Sequence, residues 1–115
     1  MQTDNKQILL QANKAVTRGD NEGFLAHCTD DVIWEFVGDR TLTGKDAVRA
    51  YMQQVYIEPP QFNVEHTIAE GNMVTAMGNI SMKNSSGKLI KYAYCDVWRF
   101  SSGKMAALKA FVIEV

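Results

Sequence analysis

The residues best suited to chemistry lie in one stretch near the C-terminus, Lys88 to Phe100, which reads KLIKYAYCDVWRF. Successive side chains of a β-strand point to opposite faces, so Asp96 shares a face with Tyr92, Tyr94 and Trp98. Burying a lone carboxylate is unfavourable unless the group is hydrogen-bonded or its pKa rises until it is neutral. We therefore expect Asp96 to lie among aromatic side chains, either as a structural acid that neighbouring donors satisfy, or as a neutral acid with a raised pKa, or as a group used for chemistry in a pocket.

His66 is the second candidate for proton transfer. In an extended segment it shares a face with Phe62, Val64 and Ile68, and this apolar face is the one expected to be concave. A neutral imidazole near its ordinary pKa can act as a general base. Two interpretations stay open: His66 is the base opposite Asp96, or it is a hydrogen-bonded core residue.

Several other side chains are predicted to line the same pocket. Tyr51 and Tyr94 can donate hydrogen bonds to a ligand carbonyl, or pack with their hydroxyls at the rim. Ala76, Gly78 and Ala110 are small where larger residues would close a core, which leaves room for a ligand. The aromatic residues are also consistent with an ordinary core. The predicted ligand contacts are Trp34, Phe36, Tyr51, Tyr94, Trp98, Ala110 and Val112.

Metal and nucleophile chemistry has little support. His27 and His66 lie in different predicted elements, and no HxxxH, HxH or CxxC spacing is present. Cys28 and Cys95 are far apart and are expected to be free, buried thiols. No glycine-rich phosphate loop or nucleophile elbow occurs. We predict neither a metal nor a cofactor.

The composition of the chain limits the kinds of binding partner that we expect. The 12 basic and 13 acidic residues are mixed along the 115-residue chain, which argues against a nucleic-acid or anionic-membrane partner. No stretch approaches the roughly 20 apolar residues that span a bilayer, and the N-terminus lacks a basic leader. We expect a single cytoplasmic domain over residues 1–115, without nucleic-acid or membrane partners.

The first half of the chain has helical periodicity. Residues 4–17 carry an amphipathic pattern that Asp4 and Gln7 open as a capping box and Gly19 ends. Asp20 then caps a short helix with apolar residues on one side, namely Phe24, Leu25 and Cys28.

A third helix begins near Thr43 or Gly44, with Thr43 and Asp46 spaced as a cap, and ends before Pro59 and Pro60.

The second half has the period of a sheet. Residues 31–37 are predicted to form a strand with Trp34 and Phe36 on one face, followed over residues 38–44 by a loop with room for a few strand residues. Four more strands are expected at 62–70, 73–83, 88–100 and 105–114, joined by short turns as an antiparallel meander. Helices followed by a long antiparallel sheet indicate an α+β fold.

The order of elements is similar to that of a known group of proteins. The segments that carry the likeness are Arg18-Gly19-Asp20, Thr29 to Trp34, Leu42 to Val48, Asp96 to Phe100 and Leu108 to Val112. Together they resemble the SnoaL-like and ketosteroid-isomerase-like branch of the NTF2-like superfamily. This resemblance implies a cone-shaped barrel in which three N-terminal helices pack in a strongly curved, mainly antiparallel sheet. The superfamily includes isomerases, cyclases, dehydratases and epoxide hydrolases as well as non-catalytic binding proteins.

The resemblance also implies roles for single residues. Asp96 matches the protonated, hydrogen-bond-donating acid of the steroid isomerases. The position of their general base falls on Phe36, whereas Glu35 points to the other face unless a β-bulge turns it inward. The position of their catalytic tyrosine falls near Ala12. With base and tyrosine missing, 3-oxosteroid isomerase activity is disfavoured.

We predict a pocket protein for a small apolar compound that carries a carbonyl or hydroxyl group. If it is an enzyme, it is a cofactor-free isomerase, cyclase or dehydratase that uses Asp96 and His66. The alternative is a non-catalytic ligand-binding or association module. The opposite sheet face is half apolar, and by resemblance it forms a homodimer; its residues are Ala93, Cys95, Val97 and Arg99.

Overall fold

The computed structural model describes residues 4–56 and 58–115. The helices are α1 (Asn5–Thr17), α2 (Asn21–Leu25) and α3 (Lys45–Val55). The strands are β1 (Cys28–Phe36), β2 (Arg40–Thr43), β3 (Gln61–Glu70), β4 (Met73–Lys83), β5 (Leu89–Ser101) and β6 (Lys104–Glu114). The predicted α+β class is confirmed, with a strand pair inserted between α2 and α3.

The described strands form one open, curved sheet in the order β2-β1-β6-β5-β4-β3. Strands β3 to β6 form the predicted antiparallel meander. Strand β1 pairs with β6 in parallel, so the sheet is mixed but mainly antiparallel, as expected. The segment predicted as a loop contains β2, which pairs back onto β1 as a hairpin in which Phe36 opposes Arg40.

The first two helices begin as the sequence indicates. The Asp4 carboxylate accepts hydrogen bonds from the backbone N–H groups of Lys6, at 3.0 Å, and Gln7, at 3.4 Å. The Asp20 carboxylate accepts from the N–H of Gly23 at 2.9 Å. These bonds satisfy N–H groups that have no partner within the first helical turn. Cys28 does not belong to α2 as predicted, because α2 ends at Leu25 and Cys28 opens β1.

Helix α3 begins next to Gly44, as predicted, but without the predicted side-chain cap. Its N-cap is Gly44, with φ of +92°, and no side chain caps it. A residue with a Cβ is strained at this φ, so glycine determines where the helix begins. The proposed cap by Thr43 is therefore wrong. The helix ends at Val55, before the Pro59-Pro60 pair, as predicted.

The core lies between the helices and the concave face of the sheet. Helix α1 contributes Leu9 and Val16, helix α3 contributes Val48 and Met52, and all four are buried. The facing strands contribute a continuous apolar row in which Trp98 pairs with Val74 on one side and with Leu108 on the other. This packing holds the walls of the sheet around the open end of the cone.

A β-bulge at Glu65 interrupts the alternation of β3. Val64 opposes Gly78, but His66 opposes Met77, so one extra residue lies between the two pairs. A Cβ at Gly78 would collide with the carbonyl oxygen of Asn63. The absence of a side chain at Gly78 therefore allows the close approach of β3. It does not enlarge the ligand space, as the sequence suggested it would.

Candidate functional site

A cavity of about 300 Å³ opens at the end of the sheet, a size at the lower end of small-molecule sites. Its floor and walls come from the concave face, α1 and α3. The structure places Asp96 and every predicted ligand contact on its lining: Trp34, Phe36, Tyr51, Tyr94, Trp98, Ala110 and Val112.

Asp96 lies between two alanines. On the concave face it pairs with Ala76 of β4 and with Ala110 of β6. Residues directly opposite in an antiparallel sheet have Cβ atoms about 4.5–5.5 Å apart. Ala110 lines the cavity together with Asp96, whereas Ala76 is buried in the core, so the open space beside the carboxyl lies towards β6. The carboxyl is enclosed by protein but keeps some accessible surface, because it lines the open cavity.

Burial raises the pKa of Asp96 to about 7. Desolvation is the sole cause, since neither a cation nor a hydrogen bond from the described residues stabilises the carboxylate. At neutral pH the group is therefore divided between its acid and its carboxylate. Such a group both donates and accepts a proton at little cost, which is the property required of a general acid or base.

The tyrosines around Asp96 remain protonated. Burial raises the pKa of Tyr94 to about 12, and the charges of Asp96 and Glu65 add to this effect. The pKa of Tyr56 is also raised by burial, with contributions from Tyr51 and Asp96. These phenols are thus hydrogen-bond donors in the cavity, not bases.

Two polar atoms of the lining residues are enclosed without a hydrogen-bond partner among the described residues. They are the indole Nε1 of Trp34 and the hydroxyl of Tyr94. Leaving a buried donor unpaired costs about 1–3 kcal/mol, which a ligand oxygen would offset if it reached the donor. Both residues belong to the set predicted from the sequence.

Packed aromatic rings form one wall of the cavity. Phe36 and Tyr51 have ring centroids 5.2 Å apart, and Trp34 meets Tyr51 edge to face at 6.1 Å. Tyr56 in turn meets Tyr51 edge to face at 6.0 Å. Such arrangements stabilise aromatic pairs beyond the effect of the area that they bury. The wall is thus apolar, with phenol hydroxyls as its polar points.

His66 does not lie in the cavity. Because of the bulge at Glu65 it shares a face with Met77 and Cys95, which is the convex face, and it is exposed. The expectation that His66 faces Asp96 is therefore wrong. Simple alternation from Phe62 and Val64 predicts the concave face, and the extra residue reverses it.

The structure also locates the positions that the resemblance to the steroid isomerases singled out. Phe36 lies in the same row as Asp96, with Ala110 between them, so a phenyl ring occupies the side where a base was sought. Glu35 pairs with Lys109 in unbroken register and points to the convex face, so no bulge turns it inward. Ala12 is fully buried in the core.

The sequence analysis missed several lining residues, among them Asn13, Tyr56 and Phe62. Asn13 lies four residues after Leu9 and three before Val16, so helical spacing already placed it beside the core face. Tyr56 is the C-cap of α3 and follows Met52 by one turn. For Asn13, a polar residue at core spacing was the available signal.

Other reactive groups lie apart from the cavity. Burial raises the pKa of the Cys28 thiol to about 12, and Cys95 is half-buried on the convex face. Within residues 4–56 and 58–115, no cluster of histidine, cysteine and acidic side chains is arranged to hold a metal ion. In the same part of the chain, no helix has the length and apolar character needed to cross a bilayer.

The sequence from residue 9 to residue 108 matches the model of the SnoaL-like domain. This span is most of the chain. The protein belongs to the SnoaL-like domain family. No curated protein matches the sequence significantly.

Solved structures of other proteins have a similar fold. The epoxide hydrolase/cyclase-like enzyme SalBIII, which has a role in pyran ring formation in the polyether salinomycin, matches with a TM-score of 0.87 and 22% identity over 94% of this chain and 89% of its own. An LEH-like epoxide hydrolase from M. tuberculosis matches with a TM-score of 0.84 and 14% identity over 94% and 81%.

An NTF2-like protein of unknown function from Burkholderia pseudomallei K96243 gives a TM-score of 0.83 at 22% identity over 95% and 90%. At these identities the likeness establishes the NTF2-like fold alone. The activity of this SnoaL-like protein has to be argued from its own cavity.

Proposed function

We propose that this SnoaL-like protein binds a small apolar molecule with a carbonyl or hydroxyl oxygen and transfers a proton to or from it through Asp96. The observation that carries the proposal is the Asp96 carboxyl, with a pKa of about 7, on the wall of an apolar cavity between Ala76 and Ala110. Uncharged Asp96 donates a hydrogen bond to the ligand oxygen, and the phenols nearby are further donors.

A single carboxyl is sufficient for a dehydration. Protonated Asp96 gives its proton to the hydroxyl of the substrate, the C–O bond breaks, and water leaves. The carboxylate then removes a proton from the neighbouring carbon, whose C–H electron pair becomes the new double bond. Asp96 returns to its starting state, so the step balances without a second group. Isomerisation of an unsaturated ketone uses the same two protonation states in the opposite order.

His66 lies outside the cavity and takes no part in this proton transfer. Asp39 at the rim is the other carboxyl among the described lining residues. Asp96 therefore has to act alone or with the phenols. This restricts the chemistry to reactions in which one group delivers and collects the proton.

Ligand binding can be tested by the fluorescence of the protein itself. The chain has two tryptophans, Trp34 and Trp98, and both line the cavity. We expect butyrophenone to change this fluorescence saturably in the wild type and in Asp96→Asn, whose amide still donates. In Asp96→Leu, loss of the hydrogen bond should weaken binding roughly 2- to 10-fold. Identical affinities for butyrophenone in wild type and Asp96→Leu would contradict the role of Asp96.

The alternative function is an association module. It is favoured by apolar side chains on the convex face that are exposed, among them Ile68 at 58%, Phe111 at 43% and Ile113 at 67%. Exposed apolar patches commonly mark protein interfaces. We propose a homodimer formed through this face, with Cys95 and Val97 at its centre. Dimer formation is compatible with ligand binding, since the cavity opens elsewhere.

A further inference from the structure

A second concavity lies outside the cavity, between α1 and the edge strand β3. This groove has a volume of about 500 Å³. Its apolar floor consists of Leu10, Phe62 and Val64, and its rim carries the cations Lys14 and Arg18. No function assigned above uses it.

The groove and the cavity meet at two residues. Asn13 of α1 and Phe62 of β3 line both spaces. The ring of Phe62 also packs edge to face on Tyr94, with centroids 5.9 Å apart. Tyr94 is two residues from Asp96 on the same face of β5, so the junction adjoins the proposed reaction centre. The two spaces thus adjoin at Asn13 and Phe62, and a ligand longer than the cavity would enter the groove at this junction.

The charge of the groove has one sign. Its described lining contains Lys14 and Arg18 but no acidic side chain. Arg18 forms an exposed ion pair with Asp20 at 3.6 Å, whereas Lys14 has no ion-pair partner among the described residues. The C-terminal end of α1, where both cations lie, carries a partial negative charge. Any attraction for an anion must consequently come from the two side chains.

We propose that the groove is a subsite for the anionic end of the ligand. This inference rests on the proposed function and narrows its ligand class to an apolar ketone or alcohol with a carboxylate tail. The oxygen-bearing part lies against Asp96, the chain passes between Asn13 and Phe62, and the carboxylate lies beside Lys14 and Arg18.

The test compares ω-benzoyl alkanoates of increasing chain length with their methyl esters. Acid and ester share the aryl ketone and differ in the charge at the tail. Binding is measured through the fluorescence of Trp34 and Trp98 at low salt. Exposed ion pairs are weak, so for the chain length that spans the junction we expect the acid to bind roughly 3- to 10-fold more tightly than its ester. The preference should decline with added salt.

The variants Lys14→Gln and Arg18→Gln should together abolish the preference for the acid and leave the ester unchanged. Lys6→Gln is the matched control, because Lys6 is on the same helix but outside the groove. Equal binding of acid and ester at every length, or a preference that survives the double substitution, would overturn this inference alone. Failure of all esters and acids to bind would contradict the proposed function and the inference with it.

Discussion

Asp96 of β5 and Ala110 of β6 face each other across the antiparallel ladder on the concave side of the sheet. The alanine methyl cannot donate a hydrogen bond, and Ala76 on the other flank cannot either. The carboxyl is therefore desolvated without compensation, and its pKa rises to about 7. The open cavity lies beside this acid, and a ligand oxygen placed there would accept a hydrogen bond from it.

A substitution of Asp96 should reveal the cost of its burial. Since the pKa of Asp96 is higher in the folded protein than its usual 3.8, the folded state binds the proton more tightly. The buried carboxylate destabilises the folded state. This loss of stability is absent at a pH below the pKa of Asp96 in the unfolded chain, grows as the pH rises towards about 7, and is constant above that value. A shift of this size corresponds to at most about 4 kcal/mol.

We therefore expect Asp96→Asn to raise the free energy of unfolding by up to a few kcal/mol at about pH 8, and to leave it nearly unchanged at about pH 4. Urea denaturation at both pH values measures this. Glu35→Gln, the same kind of change on the convex face, serves as the control. A stabilisation by Asp96→Asn that did not depend on pH would contradict the assigned pKa.

Ligand affinity should depend on pH through the same group. A ketone accepts a hydrogen bond from protonated Asp96 but not from the carboxylate, so affinity for butyrophenone should fall as the pH rises through about 7. The pKa of Tyr94 is about 12 and that of Tyr56 is also raised, so neither phenol titrates in this range. In Asp96→Asn the affinity should be independent of pH. A pH dependence retained by that variant would assign the effect to another group.

The space beside Asp96 can be filled deliberately. Ala110→Leu should reduce the affinity for butyrophenone at least about 10-fold by occupying the ligand volume, at a stability cost of about 1–3 kcal/mol. Ala107→Leu places the same side chain on the same strand but on the opposite face, and should leave affinity unchanged. Equal affinities of the two variants would mean that the ligand does not bind beside Asp96.

If the homodimer forms through the convex face, a charge placed on that face should disrupt it and a charge placed elsewhere should not. Phe111→Glu puts a charge on the exposed apolar face, and should convert a dimer to a monomer in sedimentation velocity experiments. Gln54→Glu on α3 is also at an exposed position but lies away from the convex face, and should not alter the mass. A wild-type protein that sediments as a monomer at high concentration would contradict the dimer.

The sequence predicted the site correctly where side chains alternate between the two faces of a strand without interruption. Strand β5 pairs with β4 without interruption from Leu89 to Arg99, so the face of Asp96 could be deduced directly from its position. Strand β3 contains the bulge at Glu65, and residues beyond it have the opposite orientation. Hydrophobic pattern alone does not encode the close backbone approach that Gly78 permits, so His66 was misplaced.

Helices show the same contrast. The side-chain caps of α1 and α2 could be predicted because Asp4 and Asp20 act on adjacent backbone groups. Tyr56 lies just beyond the last turn of α3, and its position depends on how the chain leaves the helix. Tertiary packing brings it next to Tyr51 and the cavity, and no local signal specifies that contact.

The most direct test of the central claim is an NMR titration of the Asp96 side-chain carboxyl carbon, assigned by comparison with Asp96→Asn. The account predicts an apparent pKa near 7 for the free protein and a higher value with butyrophenone bound, because the ligand stabilises the protonated form. A pKa near the ordinary 3.8, unchanged by the ketone, would show that Asp96 is a charged residue and not the hydrogen-bond donor of a ligand site.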